Sequence, residues 1–273
     1  MPRKENADFA RLPIKWIQGG GITAFDSRVG DDARTRALQN ASIAALRLFI
    51  SLCMLADYHT GQVRTTYPKL IALCGMSRPI VARSLKRLVQ EGLLKKIDSP
   101  IREGTVLQLS GWEDSFHGKL PKSSLYDGSR TQLLVLHQFE YSALSLYALK
   151  VFLVICAFRS SKNYNIATIN YSTISRLSGV PTHQIPGSLN RLYHLDLISY
   201  KQADYYDLGN EMDRTNRYLV RGLGDRWPAF NPVQASGKGG RPSKAKIASA
   251  NEFRSLDGAS LGNRRLIKPS VGP

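Results

Sequence analysis

The segment TTYPKLIALCGMSRPIVARSLKRLVQEGLLKKI, residues 65–97, decides the fold because it recurs as INYSTISRLSGVPTHQIPGSLNRLYHLDLISY at residues 169–200. With a shift of 104 positions, Tyr67, Leu73, Gly75, Ser84, Leu85, Arg87, Leu88 and Leu93 fall on Tyr171, Leu177, Gly179, Ser188, Leu189, Arg191, Leu192 and Leu197. Upstream, a shift of 103 places Ala45, Leu46, Arg47, Phe49 and Cys53 on Ala148, Leu149, Lys150, Phe152 and Cys156. A match that spans an apolar helix as well as the quoted segment marks a duplicated three-helix domain, not one shared helix.

In the first copy, Ala45, Leu48, Phe49, Leu52 and Leu55 recur at helical spacing and predict a helix over about residues 42–58, stopped at His59-Thr60-Gly61. A short helix over 67–73 ends at Gly75, a residue type suited to the left-handed conformation of a tight interhelical turn. Ser77 caps the next helix, whose first turn tolerates Pro79 because its N–H groups have no intrahelical partner. Val81, Leu85 and Leu88 then face the core, which leaves Pro79, Ala82, Arg83, Lys86 and Gln90 outside. That outer face suits a DNA major groove: an Arg bonds two acceptors of a guanine edge, and a small residue such as Ala82 approaches a thymine methyl. Arg78 and Arg87, at the helix start and flank, are expected on phosphates. Gly92-Leu93-Leu94 opens a strand, residues 98–104 turn, and 105–109 return, so that Arg102 stands at a hairpin tip within reach of a minor groove.

The second copy keeps the core and departs on the outer face. Pro186, Gly187 and Asn190 stand where Ala82, Arg83 and Lys86 stood, so the helix is expected to begin late or to be distorted, and it loses two cations. Its hairpin, residues 202–217, carries Asp204, Asp207, Glu211 and Asp213 against Arg214 and Arg217, a balance that repels phosphates. The expectation is a division of labour, the first copy making most specific contacts and the second self-associating or docking a partner. The rival expectation is that both copies read half-sites, with His183, Gln184, Asn190 and Arg191 reaching bases or backbone.

Composition supports a polyanionic partner. The 273 residues carry 38 Lys and Arg against 21 Asp and Glu, a net charge of +17, with 42% hydrophobic residues, enough for packed cores. The expected division is an N-terminal arm (1–40), a first domain (41–112), a connection (113–140), a second domain (141–230) and a basic disordered tail (231–273). Within the connection, residues 131–139 read equally as a strand or a short helix. The first domain and the tail hold +12 of the net charge. In the tail, Gly239-Gly240-Arg241-Pro242-Ser243-Lys244, preceded by Lys238, resembles the core of an AT-hook, although Gly239 stands where such hooks carry an arginine. A plain basic tail that raises non-specific affinity is the preferred reading. Three cysteines sit in apolar runs and read as core residues in a reducing, cytoplasmic setting; no apolar stretch reads as a signal peptide or a membrane span.

The Gly-Met-Ser-Arg turn, the Val81/Leu85/Leu88 spacing and the Gly-Leu-Leu exit resemble winged helices of the MarR and GntR regulator type, and the module in tandem resembles plasmid and phage replication initiators. The resemblance covers each copy, about half of the chain. It implies a mainly α fold with small β-wings (α+β), two tandem winged helix-turn-helix domains. It also implies sequence-specific binding of double-stranded DNA in replication initiation or maintenance of a bacterial mobile element, with a transcriptional repressor or a partner-docking architectural protein as alternatives. The partners expected are duplex DNA and, through the second domain, a second copy or a replication or partition protein. Catalysis is not expected: the five histidines are scattered without ligand spacing, no Gly-x-x-x-x-Gly-Lys-Ser/Thr loop occurs, and Tyr205-Tyr206 lacks the constellation of a nicking enzyme. Neither cofactor nor metal is expected.

Overall fold

The computed structural model describes residues 8–25, 33–97, 104–113, 116–160, 165–201, 216–224 and 227. The fold is mixed α+β with small sheets. Its first half runs β1 (Phe9–Pro13), α1 (Lys15–Gln18), a 3-10 turn (Gly21–Ala24), α2 (Ala33–Leu55), β2 (Gln62–Thr65), α3 (Tyr67–Cys74), α4 (Arg78–Gln90), β3 (Leu94–Ile97) and β4 (Thr105–Leu109). Its second half runs β5 (His117–Pro121), α5 (Lys122–Leu125), α6 (Leu134–His137), α7 (Ala143–Phe158), β6 (Arg159–Ser160), β7 (Ile166–Thr168), α8 (Tyr171–Ser178), a 3-10 turn (Thr182–Gln184), α9 (Ile185–His194), β8 (Ile198–Lys201) and β9 (Arg217–Val220).

Both halves therefore order helix, strand, helix, helix, strand, strand, and both sheets share one topology. The strand before the second helix pairs with the last strand, which pairs with the strand after the third helix: β2-β4-β3 and, beyond the added β6, β7-β9-β8, all antiparallel. Each second helix has a side-chain cap at its start. Thr66 accepts from the Lys69 N–H at 3.4 Å and Asn170 from the Thr173 N–H at 2.8 Å. Each ends on a left-handed glycine, Gly75 (φ 63°) or Gly179 (φ 70°), as the turn requires. Ser77 occupies the cap position of α4, but its side chain makes no cap hydrogen bond, in contrast to the sequence reading.

α2 and α7 are the centre of the molecule. Residues 42–54 of the one and 145–157 of the other are buried without interruption, so these helices are apolar all round and pack against each other and the surrounding elements. With its 23 residues, α2 also meets the length and apolarity of a membrane span, which the sequence reading had denied to every stretch; here most of it is covered by protein. Each of the two helices buries a cation at the same repeat position, Arg47 and Lys150. Arg47 donates to the carbonyl of Cys74, the last residue of α3, at 2.9 Å, so it supplies positive charge to the negative end of that helix and ties it to α2. Burial pulls its pKa down, against the opposing influence of Tyr141 and Cys74. The thiols of Cys53, Cys74 and Cys156 are free and buried, and burial pushes their pKa values up.

Three sequence expectations are corrected by these elements. The first helix starts at Ala33, so the expected boundary between residues 40 and 41 falls inside it. Residues 9–25 are not a separate arm, because β1 pairs antiparallel with β5 from the expected connection, and Leu12, Ile17, Ile22 and Phe25 are fully buried. The ambiguous stretch 131–139 contains the short helix α6, with Leu133, Leu136 and Phe139 in the core. The repeat is also longer than the sequence reading took it to be. Arg11-Leu12-Pro13 corresponds to Lys119-Leu120-Pro121 and Ile17 to Leu125, and after a six-residue change of shift Ile22 and Phe25 correspond to Leu136 and Phe139, all of these apolar residues buried.

Candidate nucleic-acid interface

α4 sorts its side chains as its periodicity demands. Val81, Ser84, Leu85 and Leu88 are buried, whereas Arg78, Pro79, Arg83, Lys86 and Gln90 are exposed and Ala82 is half-buried. Arg83 lies along its own helix, its Nε donating to the Pro79 carbonyl at 3.3 Å. Lys86 is exposed and, among the described residues, is in no ion pair. The Arg78 guanidinium stands over the Tyr67 ring at 5.3 Å, which holds it at the junction of α3 and α4.

Arg87 makes contacts within the chain beyond the one expected of it. It donates to the carbonyl of Ala24 at 3.1 Å, lies over the Phe25 ring at 5.2 Å, and approaches Glu91 at 3.9 Å. Its repeat equivalent Arg191 donates to the Gln138 carbonyl at 2.6 Å. Ala24 and Gln138 are themselves equivalent positions, each one residue before a fully buried phenylalanine, Phe25 or Phe139. In both halves this arginine fastens the third helix to the segment that precedes the first, a bond that the expectation of a phosphate contact for Arg87 and a base or backbone contact for Arg191 does not include.

The basic surface extends past α4. Arg64 on β2, Lys69 on α3, and Lys95 and Lys96 on β3 are all exposed. The sequence reading did not single these out, although the Lys95-Lys96 pair beside the Gly-Leu-Leu exit is visible there. Against the second half, position by position, the seven outward cations between residues 64 and 96, Arg64, Lys69, Arg78, Arg83, Lys86, Lys95 and Lys96, become Thr168, Thr173, Thr182, Gly187, Asn190, Ser199 and Tyr200. The inward Arg87 alone is kept, as Arg191. Among the described residues from 166 on, the second half has instead the exposed cations Arg176 and Arg217, at positions where the first half has none.

The outer face of α9 is nevertheless open. His183, Pro186, Gly187, Asn190 and His194 are exposed and Gln184 is half-buried, which matches the exposure of the corresponding α4 positions nearly residue for residue. The helix begins late: its first turn is the 3-10 turn Thr182–Gln184, and Pro186 lies within the first turn of α9, where it removes no intrahelical bond. Of the remaining expected contacts, Arg102 at the first hairpin tip, Lys238, Arg241 and Lys244 in the tail, and the acidic residues of the second hairpin lie outside the described residues. Among the described residues, no group of three His, Cys, Asp or Glu stands together in a way that could hold a metal ion.

No family model, curated protein or solved structure matches this chain.

Proposed function

We propose that the chain is a sequence-specific double-stranded DNA-binding protein made of two tandem winged-helix units. In this reading α4 enters the major groove, β3 and β4 form the wing, and α9 with β8 and β9 forms the weaker, second reading head. The observation that carries the proposal is the selective loss of charge between equivalent surfaces. Two halves with the same topology and the same inward arginine differ at every one of the seven outward cations between residues 64 and 96, and a surface kept basic only for solubility gives no reason for seven cations to gather on the helix-turn-helix side of one half. Electrostatic contacts to phosphates supply most non-specific affinity, so the first half is the main anchor. Replication initiation or maintenance of a bacterial mobile element is the role we assign, on the tandem arrangement that the sequence resembles; repression of transcription from the same kind of site is the second reading.

Selection of binding sites from random duplexes with the full chain tests the proposal. A consensus should emerge, and Arg83→Ala should lower affinity for it by about 1–3 kcal/mol while changing affinity for random duplex much less. Absence of any enriched duplex overturns sequence-specific binding.

A further inference from the structure

The two halves are related by a two-fold axis, and this is legible in the β1–β5 ribbon. The strands pair antiparallel with Phe9 opposite Pro121, Ala10 opposite Leu120, Arg11 opposite Lys119, Leu12 opposite Gly118 and Pro13 opposite His117. Under the repeat, Phe9 corresponds to His117, Arg11 to Lys119 and Pro13 to Pro121. Arg11 thus faces its own equivalent, and every other residue faces the equivalent of its mirror position. A translated repeat gives no such register; a dyad through the Arg11 and Lys119 pair does.

Contacts farther out are reciprocal in the same sense. Gly75, at the end of α3, lies against His137, such that an added Cβ would come within 2.6 Å of its ring, while Gly179, at the end of α8, lies against Thr23 at 3.4 Å. Thr23 and His137 are equivalent positions. Each half therefore seats its helix-turn-helix glycine on the lead-in segment of the other half. The 3-10 turn Gly21–Ala24 packs on α8, its equivalent α6 packs on α3, and α2 packs on its own equivalent α7. Residue i touching j while the equivalent of j touches the equivalent of i is the mark of an isologous interface, here formed within one chain.

We propose that the chain is an internal dimer whose target is an inverted pair of unequal half-sites, bound by a single chain. Two reading helices related by a dyad meet a duplex along its own local dyad, so they read their half-sites in opposite orientation, unlike tandem modules that repeat by translation and read head to tail. The outer faces of α4 and α9 are both open, but α4 and its surroundings carry the seven exposed cations between residues 64 and 96, against Arg176 and Arg217 around α9. The half-site under α4 is read strictly and that under α9 loosely. This rests on the duplex-binding reading given above.

The test uses the full chain and the duplex it enriches from a random library. The complex is sized by sedimentation, and three altered duplexes are measured: one half-site reversed in orientation in place, the strict half scrambled, and the loose half scrambled. One chain per duplex is expected, with positions related by inversion in the enriched site. Reversal should cost about tenfold to a hundredfold, and scrambling the strict half should cost more than scrambling the loose half. Arg83→Ala should erase preference in the strict half alone. Equal binding after reversal, or two chains on the site with each protecting one half, overturns the internal dimer as the reading unit while leaving duplex binding intact. Failure to enrich any duplex overturns the DNA-binding reading itself.

Discussion

Single residues divide into those that build the units and those that the units display, and neighbours in sequence fall on opposite sides of that line. Arg87 and Lys86 are adjacent, yet Arg87 bonds the Ala24 carbonyl and covers Phe25, while Lys86 faces solvent. Arg87→Ala is expected to cost about 1–2 kcal/mol of stability in a urea titration, from one charged hydrogen bond and one cation–π contact, and Lys86→Ala close to nothing. An unchanged urea midpoint for Arg87→Ala would return that residue to the phosphate role its position in the sequence suggests. The pH response is also set by individual groups. Burial, aided by the charges of Arg11, Arg159 and Lys119, pulls the His117 imidazole from the ordinary 6.5 down to about 4. The unfolded chain takes up a proton there first, so this group's share of stability is whole above pH 6.5 and is lost as pH falls toward 4. Asp127 is held at about 2, from 3.8, chiefly by the Gln132 N–H and the Ser129 hydroxyl, with the Thr131 N–H and hydroxyl adding to them, so its share is lost only below about pH 4. His117→Gln should therefore flatten the decline of Tm between pH 6.5 and 4, and Asp127→Asn the decline below it. An undiminished decline between pH 6.5 and 4 in His117→Gln would mean that another group sets the acid response.

Among elements, the ones written in a strong single period were legible from the sequence. The 3.6-residue spacing of Val81, Leu85 and Leu88 placed the core face of α4, and the Gly75 turn and the strand after Gly92 followed from residue type. The bond of Arg87 to Ala24 was not legible, because amphipathic spacing shows which face of a helix turns inward and not which distant segment lies against its flank. The three-residue motif Arg11-Leu12-Pro13 and Lys119-Leu120-Pro121 was present in the text of the sequence, but it is too short to stand out without its pairing partner. The contrast between α4 and α9 can be tested by transfer. At Gly187 an added Cβ meets only Leu144, at an ordinary 3.6 Å, and the backbone there is helical. Gly187→Arg with Asn190→Lys rebuilds the α4 cations on α9 with room for the new Cβ at 187, and replacing a helical glycine favours the helix by up to about 1 kcal/mol. Affinity for duplex DNA should rise, and the slope of log K against log salt should steepen by about two. A double variant that folds and binds with the original slope would show that the outer face of α9 does not meet phosphate.

At the scale of the whole molecule, two domains joined by a connection gave way to one continuous core. Sequence reasoning treats a stretch such as 113–140 as a linker because Gly118, Pro121 and Gly128 punctuate it, and punctuation marks where elements end without saying where the ends go. Here β5 of that stretch completes a ribbon with β1, and the Leu133 N–H donates to the Leu73 carbonyl at 3.0 Å, across the halves. Trp16 meets Phe49 and Phe25 edge-on, so the lead-in segment also covers α2. A fragment of residues 41–112 loses β1 with Leu12 and the Trp16 ring from α2, Phe25 from beside Arg87 of α4, and the whole of α7 from another side of α2. Removing one such large buried side chain costs about 2–5 kcal/mol, and the total stability of a small domain is about 5–15 kcal/mol, so three losses together with an uncovered α2 exceed what one half has to lose. That fragment is expected to show no cooperative urea transition by far-ultraviolet circular dichroism, while the full chain unfolds in one. A fragment of 41–112 that melts sharply and retains near-ultraviolet signal would show that the first half is an independent domain, and that the second half is attached to it rather than built into it.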